Sequence, residues 1–258
     1  MVKSMKRKTI KKVNLQSKSE GQEHVVKDFQ LEENEFIDNR YRVIEPLHSS
    51  RFSQIYLAKD INLGKFVVIK IFGKYFELKD NYEFLKLFTN QFKTLKHKNI
   101  VNIEDFIDSN YVFQVMEYIE GHTLEHLNDK RLLKKSQILP YLLQIAEAMQ
   151  MAHAKSIYHC DLKPSNIMVN NQDIIKIIDF SHPQLHKTLY GEDILTNEYI
   201  APEFLNNVLE NTDNVQRDIY AYGITMFELV YGYLPFKTNS NQQIEYILPN
   251  KLRRSKKP

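Results

Sequence analysis

Apolar and polar residues change period along this chain, and the change divides it in two. From Tyr41 they run in short stretches rich in β-formers, Tyr41–Leu47, Gln54–Lys59 and Phe66–Phe72, separated by polar segments at 48–53 and 60–65. That pattern predicts strands joined by turns. Between Asn81 and Lys96 the spacing becomes three and four, placing Leu85, Phe88, Phe92 and Leu95 on one face of an amphipathic helix. Two further strands are expected near Ile100–Ile107 and Tyr111–Met116. Helical spacing dominates beyond them. Ile138, Leu142, Ile145 and Met149 form a buried stripe, with Ser136 the expected N-cap of a helix running to about Ala154. Residues 167–169 and 174–178 read as short strands around the turn Asn170, Asn171, Gln172 and Asp173. Ile219–Val230 is apolar on nearly every face, the pattern of a helix packed on all sides. After it, only Gln242–Leu248 suits another helix.

A strand-rich first part and a helix-rich second part predict an α+β protein with two lobes. Residues 1–35 read as a tail and 36–250 as the folded body, with lobes at about 41–117 and 118–250. Residues 251–258 read as a second tail. The length, 258 residues, suits one large domain or two lobes around a cleft, and 43% hydrophobic with 26% charged content is ordinary for a globular chain. No apolar run is long enough to span a bilayer, and the basic N-terminus lacks the apolar segment of a secretory signal. One cysteine, Cys160, excludes an internal disulfide framework and fits a reducing, cytoplasmic compartment.

Charge redraws the ends. Residues 1–20 hold seven Lys/Arg against Glu20, and residues 251–258 hold five Lys/Arg and no acid, so at a net charge of +3 the body between is acidic. Basic ends on an acidic body suit contact with anionic membrane, nucleic acid or the body itself, and equally suit plain solubilising tails.

The richest chemistry lies in His159-Cys160-Asp161-Leu162-Lys163-Pro164-Ser165-Asn166, followed by Asp179-Phe180. A carboxylate to orient an attacking hydroxyl, a cation for developing charge and oxygen ligands for Mg²⁺ are what phosphoryl transfer from a nucleotide requires. The predicted hairpin would hold Asn166 and Asp179 at neighbouring strand ends. The segment resembles the catalytic loop and metal-binding motif of the eukaryotic-like (Hanks-type) serine/threonine protein kinases. Further matches follow in order: Val67-Val68-Ile69-Lys70, His97-Lys98-Asn99-Ile100-Val101, Met116-Glu117-Tyr118-Ile119-Glu120-Gly121, Thr196–Glu203 and Arg217-Asp218-Ile219-Tyr220-Ala221-Tyr222-Gly223.

The resemblance implies a bilobal kinase fold and ATP-dependent phosphorylation of Ser or Thr on a protein substrate, with ATP and Mg²⁺ (or Mn²⁺). By it Asp161 is the catalytic base, Lys163 contacts the γ-phosphate, Thr196 bridges these two, and Asn166 and Asp179 bind the metal. Lys70 holds the α- and β-phosphates. Leu47, Ser49, Ser50, Ser53, Ile55, Val68, Met116, Glu117, Tyr118 and Met168 surround the nucleotide, and Asp218 braces the catalytic-loop backbone.

The chain also departs from the family. Its three loop glycines fall at His48, Ser50 and Ser53, where positive φ would cost about 1 kcal/mol each; Arg51 adds charge there. The helix Glu that pairs with the strand Lys falls at Phe88, so Lys70 needs Asp179 or a shifted Glu83 instead. Ser181 follows Asp-Phe in place of glycine. Cys160 stands for the arginine that clamps a phosphorylated activation loop, weakening the case for control through Thr188, Tyr190 or Thr196. Cys160 itself reads as structural. After Pro235-Phe236 the family expects further helices and an Arg for Glu203. Here only Arg253 or Arg254 is left, and the shortened C-lobe implies a covering partner or dimer. These departures set a pseudokinase scaffold beside the enzyme reading. A small-molecule kinase of the aminoglycoside or choline type is third, and lacks the Ala201-Pro202-Glu203 and Asp218 matches.

Overall fold

The computed structural model describes residues 31–50, 53–73, 79–180, 198–201, 214–238 and 244–246. Residues 1–30 of the expected tail at 1–35, the tail at 251–258, and Arg51, Ser181, Thr188, Tyr190, Thr196, Glu203, Arg253 and Arg254, lie outside them.

Strands β1 (Phe36–Ile37), β2 (Tyr41–Ser49), β3 (Ser53–Asp60), β4 (Lys65–Phe72), β5 (Ile103–Asp108) and β6 (Val112–Glu117) form one antiparallel sheet in the spatial order β1-β2-β3-β4-β6-β5. Alternation along β4 sorts its side chains. Val67, Ile69 and Ile71 are buried in the N-lobe core with Tyr41, Val43, Tyr56 and Phe113, while Val68 and Lys70 face the cleft. Strand β1 is not visible as a pattern in the sequence, being two residues long. It extends the sheet edge together with residues 34 and 35, which exchange backbone bonds with Val43 at 2.9 Å; residues 34 and 35 therefore join the folded body rather than the tail.

Helix α1 (Lys79–Lys93) buries Leu85, Phe88 and Phe92 as its spacing predicts, and Leu95 just beyond it. It ends before Lys96 because the Thr94 hydroxyl donates to the Gln91 carbonyl at 2.7 Å. Strand β5 starts three residues later than expected: Ile100 instead bridges Ile177 in the other lobe, and Val101 N–H donates to Ile177 O at 2.9 Å.

The second lobe holds β7 (Gly121–Thr123), α2 (Leu124–Asp129), α3 (Lys135–Ala154), a 3-10 turn at Pro164–Asn166, β8 (Ile167–Asn170), β9 (Ile175–Ile177) and α4 (Asn214–Tyr231). Ser136 is not the cap of α3. Lys134 is, and the Gln137 side chain takes its backbone N–H at 3.1 Å, which starts the helix early enough to put Ser136 inside the first turn. The β8–β9 turn is closed as expected by Asn170, whose Oδ1 accepts from Gln172 and Ile174 N–H.

Two expectations give way. Helix α4 buries Arg217, Asp218, Ala221, Ile224, Thr225 and Leu229, but Ile219 is 59% exposed and Met226 and Val230 are also exposed, so it packs on one face and not all round. The expected helix at Gln242–Leu248 is instead a strand where it is described. β11 (Ile244–Tyr246) pairs antiparallel with β10 (Phe236–Thr238), matching Phe236 to Tyr246 and Thr238 to Ile244. β-Branched and aromatic residues flanking one Glu favour that extended pairing.

Candidate active site

Residues 159–166 cross the lobe between α3 and β8, and together with Asp179 include backbone that L-residues resist. Cys160 has φ +65° and Asp179 φ +60°, each costing about 1 kcal/mol at a residue other than glycine. Neighbours over-determine the first of these. Asp218 on α4, 2% exposed, accepts from the N–H groups of His159 at 2.9 Å and Cys160 at 2.8 Å and from His153 Nε2 at 2.8 Å. The fully buried His159 ties the segment to the next strand: its Nδ1 accepts from Asp161 N–H at 3.2 Å, and its Nε2 donates to Ile178 O at 2.9 Å. Burial lowers the His159 pKa against the pull of Asp218 and Asp161, so the ring is neutral with its proton on Nε2. Burial, then the Asp218 carboxylate, pushes the Cys160 thiol far above its ordinary value. It stays protonated at neutral pH and is no nucleophile, which agrees with its structural reading.

On that base the polar groups converge. Lys163 Nζ lies 3.1 Å from Asp161 Oδ1 and 2.8 Å from Oδ2. Asn166 Nδ2 donates to the Asp161 carbonyl at 2.8 Å and to Oδ2 at 3.0 Å, which turns the amide oxygen of Asn166 toward other duty. Ile178 N–H bonds Asn166 O at 2.9 Å, setting Asn166 beside Asp179 at the end of the β8–β9 ladder. Across the cleft, Lys70 on β4 forms an ion pair with Asp179. Desolvation raises the Asp179 carboxyl, although its side chain is 43% exposed, but the Lys70 ammonium, by charge and by hydrogen bond, with Lys163 behind it, holds it below the usual carboxylate range.

These groups line a cleft of about 650 Å³ between the lobes. Leu47, Ile55, Val68, Met116 and Met168 give it apolar walls, and Glu117 and Tyr118 form its hinge edge. Ser50 and Ser53 reach it from the loop, whereas Ser49 is exposed and outside the lining. None of His48, Ser50 and Ser53 adopts positive φ. The expected penalty does not arise at these positions, where Ser50 and Ser53 bond each other: Ser50 N–H donates to Ser53 O at 2.9 Å, and Ser50 Oγ accepts from Ser53 N–H at 3.1 Å. At the helix, Phe88 lines the cleft and Glu83 is exposed, so Asp179 is the carboxylate that Lys70 meets.

A family model described as protein kinase domain matches residues 41–257. The chain belongs to the protein kinase family. It is 33% identical over 213 residues to the serine/threonine-protein kinase PrkC of Bacillus subtilis, covering 79% of this chain and 32% of that protein. It is 33% identical over 217 residues to a probable serine/threonine-protein kinase, PknB, of Lactococcus lactis, covering 78% and 33%. The chain thus spans about a third of the length of these curated relatives. The kinase domain of PknI from M. tuberculosis superposes with a TM-score of 0.63 at 22% identity, over 80% of this chain and 78% of that one, and shows the shared fold. Use of ATP and a divalent cation is general in the kinase family. Among the described residues no helix is long and apolar enough to cross a membrane.

Several supports of this site carry no signal in the sequence. His153, a second anchor of Asp218, lies on a helix where a lone His carries no signal. Glu117 accepts from Asn102 N–H and from Lys176 Nζ, both at 2.7 Å, clamping the hinge from behind. The buried Asn99 donates to Gln144 at 2.7 Å and to Ile175 O at 2.9 Å. All are long-range contacts between residues ordinary in isolation.

Proposed function

We propose that this chain transfers the γ-phosphoryl group of ATP to Ser or Thr hydroxyls of protein substrates. The observation that carries this reading is the convergence of Asp161, Lys163, Asn166 and Asp179 on one floor of a cleft with Lys70 opposite. Asp161, fixed by Lys163 and Asn166, orients the acceptor hydroxyl and takes its proton while the hydroxyl oxygen bonds the γ-phosphorus and the bond to the departing ADP oxygen breaks. Lys163 offsets charge gathering on the transferred group. Lys70 moves from Asp179 to the α- and β-phosphates, and the apolar walls take the adenine.

The donor set suits a hard cation: a carboxylate and an amide oxygen at adjacent strand ends, with no cluster of three His, Cys, Asp or Glu among the described residues. Asn166 and Asp179 would hold Mg²⁺ or Mn²⁺, leaving its other positions to water and phosphate, and the ion would neutralise charge across the phosphates. Glu125 also lines the cleft, and an acid there suits acceptor peptides with Lys or Arg near the hydroxyl.

The test is incubation of the purified chain with labelled ATP, Mg²⁺ and a basic Ser/Thr peptide, beside Asp161→Asn. Label that depends on Asp161 supports the enzyme; equal signal from both proteins rejects it. Label passing to a sugar or amino alcohol, with none on protein, would reassign the acceptor.

A further inference from the structure

Helix α1 meets the sheet largely through apolar contact. The buried Leu85 packs with Phe72, Phe106 and Val112, and Tyr82 meets Phe106 with ring centroids 6.3 Å apart. At the exposed edge Lys93 lies 3.5 Å from Asp105, a surface pair that contributes little. Apolar contact is non-directional and leaves a helix free to turn or slide over its neighbour. A buried polar pair interrupts it. Thr89 on α1, fully buried, accepts through its hydroxyl from the side-chain amide of Gln114 on β6, itself 7% exposed. Breaking that bond would strand two buried polar groups, so it fixes the register of α1 on the sheet as apolar surface alone does not.

Gln114 stands beside the site. It is directly opposite Lys70 in the β4–β6 register, and both line the cleft. Residues paired in this way share one face of the sheet, so the bond ties α1 to the neighbour of the lysine. Helix α1 in turn supplies Leu85 and Phe88 to the cleft lining and sets Phe92 4.7 Å from Phe180, next to Asp179. A shift of α1 would therefore reach both ends of the Lys70–Asp179 pair.

We propose that Gln114 and Thr89 are positioning residues: their buried, uncharged bond holds α1 in register with the strand pair that carries Lys70, in a chain whose helix offers Lys70 no carboxylate at position 88. Amide and hydroxyl keep their protonation across the working pH range, and neither is displaced when Lys70 leaves Asp179 for phosphate. Helix α1 therefore stays placed while Lys70 changes partners. The rate readout below rests on the phosphoryl-transfer reading; the exchange and melting readouts do not.

The test compares the full chain with Thr89→Val, Thr89→Ser, Gln114→Met and the double variant Thr89→Val/Gln114→Met by amide hydrogen exchange, thermal melting, and kcat and KM for Mg-ATP. Thr89→Val keeps the shape and strands the amide. Exchange should rise about tenfold in α1 and in residues 112–117, the scale of one orphaned buried group, while α3 and α4 keep their protection. The kcat should fall by a similar factor and KM change less than about threefold, because Thr89 lies outside the cleft lining. Thr89→Ser, which keeps the hydroxyl, should match wild type in every readout. The double variant separates position from stability. Two apolar groups of matching shape should bring the melting temperature back close to wild type, while α1 exchange and kcat stay displaced because nothing directional replaces the bond. Should Thr89→Val fail to fold, Gln114→Met and the double variant carry the exchange, melting and kcat readouts. Unchanged α1 exchange in Thr89→Val, a Thr89→Ser protein as impaired as Thr89→Val, or a double variant whose α1 exchange and kcat recover with its stability would each overturn the proposal. A wild type that transfers no phosphate yet shows the exchange pattern would reject the kinase reading and leave the role of the pair standing.

Discussion

The floor and the roof of the cleft are built by different means. On the floor, Asp161, Asn166 and His159 each hold two or more directional bonds, and Asp218 accepts three. In the roof, Ser50 bonds Ser53, and α1 is fixed by the contact of Phe92 with Phe180 and one buried bond to Gln114. A directional network fails when one member changes, because each orphaned donor or acceptor is costly. A roof held by local turn bonds and apolar contact admits other solutions, which is why serines and a phenylalanine can stand where the family has glycines and a glutamate.

The contrast can be broken most directly at the floor. Asp161→Asn should lower phosphate transfer by about 10²- to 10⁴-fold while leaving Mg-ATP affinity nearly unchanged, measured by steady-state kinetics beside nucleotide binding. Asp218→Ala removes the acceptor of three bonds in a buried place and should cost about 3 kcal/mol by urea unfolding. A loss below about 1 kcal/mol would mean that the strained Cys160 turn holds without its brace. Between floor and roof, Gly121→Ala would set a Cβ 2.0 Å from the Val169 carbonyl oxygen. It should cost about 1–3 kcal/mol and loosen the pairing of β7 with β8, read as raised amide exchange there.

The ion pair spanning the cleft gives a smaller, pH-dependent effect. Asp179 is held below its ordinary range, so the contribution of its pair with Lys70 is complete above the unfolded value and is lost as pH falls through the folded one. Acidification below about pH 4 should lower the melting temperature of the nucleotide-free protein, and Asp179→Asn should remove that component. Smallest of all, Ser50→Ala should cost under about 1 kcal/mol and change Mg-ATP affinity less than threefold. A large loss would place Ser50 on the phosphates rather than in the turn.

What the sequence made legible follows the same division. The floor residues sit within eight consecutive positions plus Asp179-Phe180, and strand alternation in β4 aims Lys70 correctly because period two is a local property. The missing glycines made an altered loop legible, but not the φ at His48, Ser50 and Ser53, which follows from hydrogen bonds and not from residue type. The exposed face of α4 was missed for a related reason: an apolar sequence reports what a helix can bury, not what lies beside it. The strand Ile244–Tyr246 is three residues long, too short to hold a period, and its partner at Phe236–Thr238 decides its state. His153, Gln114 and Lys176 hydrogen-bond side chains at least 25 residues distant in the chain.

The close passage of Gly121 beneath Val169 bears on how the two halves can move. Glu117 is bound to Asn102 and Lys176, and Gly121 is seated against β8, so only Tyr118, Ile119 and Glu120 separate two anchored points. Val101, bonded to Ile177, makes a second crossing close by. Two short ligatures near one line permit rotation about that line and resist sliding or lifting. Opening of the cleft would then swing Lys70 and the serine turn outward together along an arc, as a door carries its handle, and return them to the same registration with the floor on each closure.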